Sequence, residues 1–178
     1  STCAALDPAP LVVNSLNDVA DGQCNAAHCS LREAIIAANS DADTDLISFN
    51  INTPASGELL IQLLTPLPQI TQPVAIDGGL QPGSFPGLSI LRIRVDGLNL
   101  PANAAVIDVC ANGTTVRGLS LTSSRNNIDG LRVCAAAVSN VRIAGNFVGL
   151  RPDGSIAGNN AGISVSGTAT IGGQLDGD

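Results

Sequence analysis

The chain contains no tryptophan, tyrosine, methionine or lysine, and all eight of its basic residues are arginine. Phenylalanine occurs three times and histidine once, as His28. Each scarcity excludes something. A core without large aromatics must be built from Ala, Val, Ile and Leu, which suits thin, uniform layers better than one bulky centre. No indole or phenol is available to stack on a sugar ring. Net charge is −7 and the pI is near 4.4. With no basic run either, neither nucleic acid nor an anionic membrane is an expected partner. No apolar stretch approaches the roughly 20 residues of a membrane span, so no membrane insertion is expected. The sequence also shows neither an initiating Met nor a signal-type apolar region, so Ser1 reads as a processed start.

What is present is a repeat. Five times the chain writes a β-branched residue, one variable residue, then glycine: Ile76-Asp77-Gly78, Val95-Asp96-Gly97, Val116-Arg117-Gly118, Ile143-Ala144-Gly145 and Ile171-Gly172-Gly173. A second column, Ile107-Asp108-Val109-Cys110, Leu131-Arg132-Val133-Cys134 and Ile163-Ser164-Val165-Ser166, precedes the last three of these. Self-similarity at about 20–30 residues, with short strands and glycine turns, predicts a solenoid that climbs one layer per repeat. The 178 residues allow one domain, and 19 Gly and 10 Pro supply its many turns. Within it, Leu91-Arg92-Ile93-Arg94-Val95 alternates strictly, predicting Leu91, Ile93 and Val95 inward with Arg92, Arg94 and Asp96 outward.

Upstream of the repeats the pattern is helical. Ser30-Leu31-Arg32-Glu33 has the form of a capping box, with Ser30 at the N-cap and Glu33 returning to it. Leu31, Ala34, Ile35 and Ala38 then make one apolar stripe, and Asn39-Ser40 ends the helix. The expected organisation is an N-terminal arm, cysteine loop and capping helix over residues 1–45, and strands over residues 46–178, the helix covering the first layer. The fold class is all-β, a parallel β-helix.

The five cysteines divide by position. Cys110 and Cys134 occupy one column of neighbouring repeats. In-register parallel strands lie ~4.8 Å apart, inside the Cα range of a disulfide. Cys24 and Cys29 bracket a four-residue loop that a second bridge could close. Cys3 is the odd one: free, intermolecular, or re-paired with the bracket. Two bridges imply an oxidising, extracytoplasmic compartment.

Cys29-Ser30-Leu31-Arg32-Glu33-Ala34-Ile35, with Val12-Val13-Asn14-Ser15 and Asp21-Gly22-Gln23-Cys24 before it, resembles the CSLREA-type N-terminal domain. That module begins bacterial secreted and surface right-handed parallel β-helix proteins. The likeness continues through Ala37-Ala38-Asn39 and Asp45-Leu46-Ile47-Ser48-Phe49. Ala144-Gly145-Asn146-Phe147-Val148-Gly149 with Pro152-Asp153-Gly154 is similar to the layers that follow in such proteins. The resemblance implies a right-handed β-helix at an extracellular or cell-surface location, and no shared catalytic residues. Relatives are usually longer, whereas this sequence stops at Asp178, just after a repeat motif.

Chemistry is sparse. Polygalacturonase-type sites in β-helices use Asn-Thr-Asp, Asp-Asp, His-Gly and Arg-Ile-Lys, and that combination is missing here. His28 sits inside the Cys24–Cys29 loop. Asp41-x-Asp43-x-Asp45 lacks the Gly and Glu of a helix–loop–helix calcium site and reads as a solvated turn. Asp77, Asp96 and Arg117 read as an outward Asp–Asp–Arg ladder on one face. Asn112-Gly113-Thr114 has the form of a glycosylation sequon, and the threonines at 114–115 and 168–170 form no regular array. No catalytic, cofactor or metal residues are assigned. The expectation is a non-enzymatic scaffold acting in adhesion or as a filament subunit. Its partner is itself, head-to-tail through the last repeat, or other surface proteins or glycans. The alternatives are a carbohydrate-active β-helix with a non-standard site, or a piece of a larger adhesin.

Overall fold

A computed structural model describes residues 10–52, 57–85, 89–125 and 127–172. Apart from one α-helix and a 3-10 turn, its regular structure consists of short strands in three parallel sheets. The first sheet runs β1 (Leu11–Val13), β2 (Asp45–Phe49), β4 (Val74–Asp77), β7 (Thr115–Arg117), β10 (Val141–Ala144) and β13 (Ala169–Ile171). The second runs β3 (Leu59–Gln62), β5 (Ile93–Asp96), β8 (Ser120–Thr122) and β11 (Phe147–Val148). The third runs β6 (Ala105–Val109), β9 (Asp129–Val133) and β12 (Ile163–Val165). From β4 onward the chain visits first, second and third sheet in strict rotation. An isolated parallel bridge from Ile70 to Val109 extends the third sheet toward the N-terminus.

Register explains the core. Ile47, Ile76, Val116, Ile143 and Ile171 are consecutive partners across the first sheet. Ile61, Val95 and Leu121 align in the second, and Val109, Val133 and Val165 in the third. Like stacks on like, so β-branched and Leu side chains fill identical layers without large aromatics. Each fully buried member contributes roughly 1.5–3 kcal/mol.

This register corrects the glycine column. Four of the five motifs align in the first sheet, but Val95-Asp96-Gly97 belongs to the second, where Val95 pairs with Ile61 and Leu121. The circuit from Ile76 to Val116 takes 40 residues (116−76) and passes through both other sheets. A local likeness between two sheet corners imitated a shorter repeat. Within the first sheet Gly118, Gly145 and Gly172 turn with φ of +72°, +61° and +84°, a left-handed bend that neither Gly78 nor Gly97 adopts. At Gly118 a side chain is also excluded by space, because a Cβ there would overlap the Gly79 amide of the neighbouring corner.

The helix α1 (Leu31–Ala38) carries its apolar stripe into the same core. Leu31, Ala34, Ile35 and Ala38 are all buried, and the helix packs on β1 and β2. Its polar groups finish an edge. Arg32 donates to the carbonyls of Thr65 and Pro66 at 2.8 Å each. Asp18, paired with Arg32, accepts from the Leu64 amide at 2.8 Å. Asn39 donates to Gln69 O and accepts from the Thr71 amide, both at 2.8 Å. Side chains thus satisfy backbone groups along residues 64–71 that a further strand would otherwise have to meet.

Candidate functional site

Three regions carry chemistry: the N-terminal cap, the outer face of the second sheet, and the strand edges at the far end.

At the cap, Cys24 and Cys29 are bridged with a Cα separation of 4.2 Å. The capping box is complete: Ser30 Oγ accepts from the Glu33 amide, and Glu33 Oε2 accepts from the Ser30 amide at 2.9 Å. Glu33 does more than cap. Its Oε1 accepts from the amides of Asp21 at 2.6 Å and Gly22 at 3.3 Å, tying the preceding loop to the helix. Burial of this carboxylate opposes ionisation, but the hydrogen bonds from Ser30 and Asp21, with His28 alongside, outweigh it and hold its pKa at about 2. His28 Nδ1 lies 2.9 Å from Glu33 Oε2 and 3.3 Å from Asp21 Oδ2, and its Nε2 lies 3.1 Å from Asn17 Oδ1. The sequence placed His28 in the loop but offered no sign that Asp21 and Glu33 converge on it, because that meeting depends on how the bridged loop folds back over the helix start.

Cys110 and Cys134 are also bridged, at a Cα separation of 5.3 Å, across the β6–β9 register. Beside them Arg132 holds Asp108 through Nε at 3.1 Å and Nη2 at 2.7 Å. Cys3 lies outside the described residues, as do Gly173 and Asp178.

The outer face of the second sheet departs from expectation. Arg92, Arg94 and Asp96 point away from the core as the alternation requires, yet all three are buried. The reason is the loop after β11, which folds back over the sheet. Ser120 Oγ donates to Leu150 O at 2.6 Å, Ser123 Oγ to Gly158 O, and Asn159 Nδ2 to Leu121 O. Beneath this cover Arg94 bridges Asp96, Glu58 at 3.0 Å and Thr122 Oγ1 at 2.8 Å. Arg92 donates to the carbonyls of Gly57 and Pro82. A cleft of about 570 Å³ opens next to them, where Glu58, Phe85, Ile90, Arg92 and Asp153 meet.

The Asp–Asp–Arg ladder does not exist as one ladder. Asp77 and Arg117 are register partners in the first sheet and pair at 2.6 Å, while Asp96 lies in the second sheet with Arg94. The common D-G ending of two different corners suggested a shared column. In Asp41-x-Asp43-x-Asp45 the first two are exposed, with the Asp43 amide donating to Asp41 Oδ1 at 3.1 Å, whereas Asp45 opens β2 and is buried. Burial, then the charges of Asp41 and Asp43, push the Asp45 pKa up. Asn112 Oδ1 accepts from the Ser139 amide of the adjoining turn at 2.8 Å.

At the far end the core columns emerge. Val109 and Val133 are fully buried, but their partner Val165 is 40% exposed. Val116 and Ile143 are buried, but Ile171 is 56% exposed. Among the described residues, β11, β12 and β13 have no strand on their outer sides.

No family model, no curated protein and no solved structure matches this chain. No helix among the described residues is long and apolar enough to cross a membrane, and the two disulfides fit an oxidising environment.

Proposed function

We propose that this chain is a secreted or cell-surface structural protein: a right-handed parallel β-helix of the CSLREA-type class, serving as a rigid scaffold in adhesion or filament assembly. The rotation of the chain through three parallel sheets supports the β-helix, and the strong right-handed preference of parallel crossovers supports its hand. The observation that carries the functional reading is the contrast between the two ends. One is finished along residues 64–71 by α1 with Asp18, Arg32 and Asn39. The other presents Val165 and Ile171, continuations of buried columns, beside strand edges with no partner among the described residues. Apolar columns and unpaired backbone at one end make a surface for strand addition. The partner is a second copy or another surface protein. A head-to-tail contact between copies would meet β1, the outermost strand of the first sheet, and would propagate as a filament unless it closed.

Negative-stain electron microscopy and analytical ultracentrifugation of the wild type and Ile171→Pro test this. The Gly172 amide donates to Ile143 O, so by alternation the Ile171 amide faces away from β10. Proline there removes an outward donor and spares the β10 pairing. Concentration-dependent assemblies in the wild type, lost in Ile171→Pro, are expected. Dispersed monomers at all concentrations, with no retention on cell surfaces, would overturn the proposal. A second reading, a carbohydrate-active protein, draws on the Glu58–Arg92–Asp153 cleft, and product release from polyuronides would establish it.

A further inference from the structure

We propose that Asp21, His28 and Glu33 form a binding site for a divalent transition-metal ion of the zinc class, which clips the disulfide loop onto the start of α1.

Asn17 sets the tautomer of His28. The Val19 amide donates to Asn17 Oδ1 at 3.1 Å, which identifies that atom as the oxygen of the side-chain amide. His28 Nε2, 3.1 Å from the same oxygen, must therefore carry a proton. In a neutral imidazole the lone pair is then on Nδ1. That atom is shielded from solvent and faces Glu33 Oε2 at 2.9 Å and Asp21 Oδ2 at 3.3 Å. Three electron-pair donors thus converge, with their ligand atoms all within 4.8 Å of one another. Such a gathering is repulsive unless a cation joins it.

The spacing fits a metal ion. Zinc binds imidazole nitrogen and carboxylate oxygen at about 2.0–2.2 Å, so adjacent ligand atoms around it stand roughly 2.9–3.4 Å apart. The two separations from Nδ1 fall in that interval. The surrounding groups orient each ligand as outer partners of metal sites do. Asp21 Oδ1 accepts from the Gln23 amide at 3.3 Å, leaving Oδ2 for the ion. Glu33 Oε1 accepts from the Asp21 and Gly22 amides and Oε2 from the Ser30 amide, which together fix the carboxylate with Oε2 toward His28. Asn17 fixes the imidazole, and the Cys24–Cys29 bridge holds the backbone next to His28. Asp21 is the exposed member, 54% open at its side chain, and marks the entry path and the place for water ligands. One nitrogen and two carboxylate oxygens suit zinc and its first-row neighbours, and no thiolate is needed. The competing occupant of the same gap is a proton on Nδ1.

Because His28 is the only histidine, the imidazole ¹⁵N spectrum reports this site alone. The non-reduced, EDTA-stripped protein is titrated with zinc at pH 8, where an ordinary imidazole is neutral. Expected are a bare Nδ1 and a protonated Nε2 without metal, and a change of the Nδ1 resonance that saturates at one zinc per chain. Calorimetry should show one site, weakened at least tenfold by Asp21→Asn and by His28→Gln. Asp21→Asn lies on an exposed side chain and keeps an acceptor for the Gln23 amide, so it remains informative if His28→Gln fails to fold. An Nδ1 resonance unmoved at millimolar zinc overturns the proposal, and so does stoichiometric binding that is equally strong in Asp21→Asn. A His28 ring still doubly protonated at pH 8 without zinc uptake overturns it in favour of the proton.

Discussion

Glu33→Gln is the most informative single substitution outside the metal question. Both oxygens of this 3%-exposed side chain are occupied by donors: the Asp21 and Gly22 amides on one, the Ser30 amide and hydroxyl on the other. A glutamine amide has one oxygen and one NH₂. Whichever way it turns, an NH₂ group confronts a backbone N–H, and one set of charge-assisted bonds is lost. Bonds to a charged acceptor are worth about 1.5–3 kcal/mol each. The same bonds hold the pKa at about 2, against 4.5 for an ordinary glutamate, which corresponds to roughly 3 kcal/mol of stabilisation by the ionised form. The expected loss is about 3 kcal/mol, or roughly 6–12 °C in Tm for a chain of this size. With no Trp or Tyr to report by fluorescence, thermal and urea unfolding are followed by far-UV circular dichroism, under non-reducing conditions with EDTA. The pH dependence supplies the control. A folded pKa below the unfolded one means the carboxylate stabilises fully above pH 4.5, and that this contribution fades as pH falls from there toward 2. The gap between wild type and variant should therefore be largest near neutrality and shrink below pH 4.5. A gap under about 1 kcal/mol at pH 7, or one that stays constant down to pH 2, would refute the reasoning.

Four further variants test the scaffold. Gly118→Ala combines the left-handed backbone cost of about 1–2 kcal/mol with overlap at the Gly79 amide, and overpacking adds about 1–3 kcal/mol. Gly154→Ala, at φ +83° in open space, should cost only the backbone part, so equal urea midpoints for the two would contradict the close packing of the corners. Arg94→Met strips the buried Asp96 of its cation and should lower stability by about 3–5 kcal/mol; a change below 1 kcal/mol in urea unfolding would mean the face is wetter than described. Replacing Cys110 and Cys134 together by serine opens a link of sequence separation 24 and should cost about 3 kcal/mol, read as a lower urea midpoint without reductant, the variant and the wild type coming together once both are reduced.

Much of this architecture was legible because a stacked fold writes its layers along the chain. The apolar-x-Val-small column at Ile107, Leu131 and Ile163 aligns as its spacing implied, and Cys110 faces Cys134 because Val109 faces Val133. The capping box was legible because Ser30 and Glu33 meet within one helical turn. What escaped depends on contacts between distant segments. Alternation shows that Arg94 points outward, but not that residues 149–160 return to cover it. Likewise a β-x-Gly corner reads the same in the first sheet at Gly118 as in the second at Gly97, since the motif encodes a bend and not which sheet is being left. Asp21, His28 and Glu33 share no periodicity, and only the bridged loop brings them together.

The way α1 finishes its edge has a kinetic corollary. Along residues 64–71 the backbone is met by an arginine, an aspartate and an asparagine, groups that saturate it without offering a new ladder of amides and carbonyls. A strand arriving along residues 64–71 finds no template there, whereas among the described residues β11, β12 and β13 still display one. At that segment ordering can therefore advance only away from the helix, each circuit laid on the circuit already made. For a chain that emerges N-terminus first, the direction of synthesis and the direction of stacking coincide, so the oldest segment is the foundation and the newest always has a prepared surface to land on.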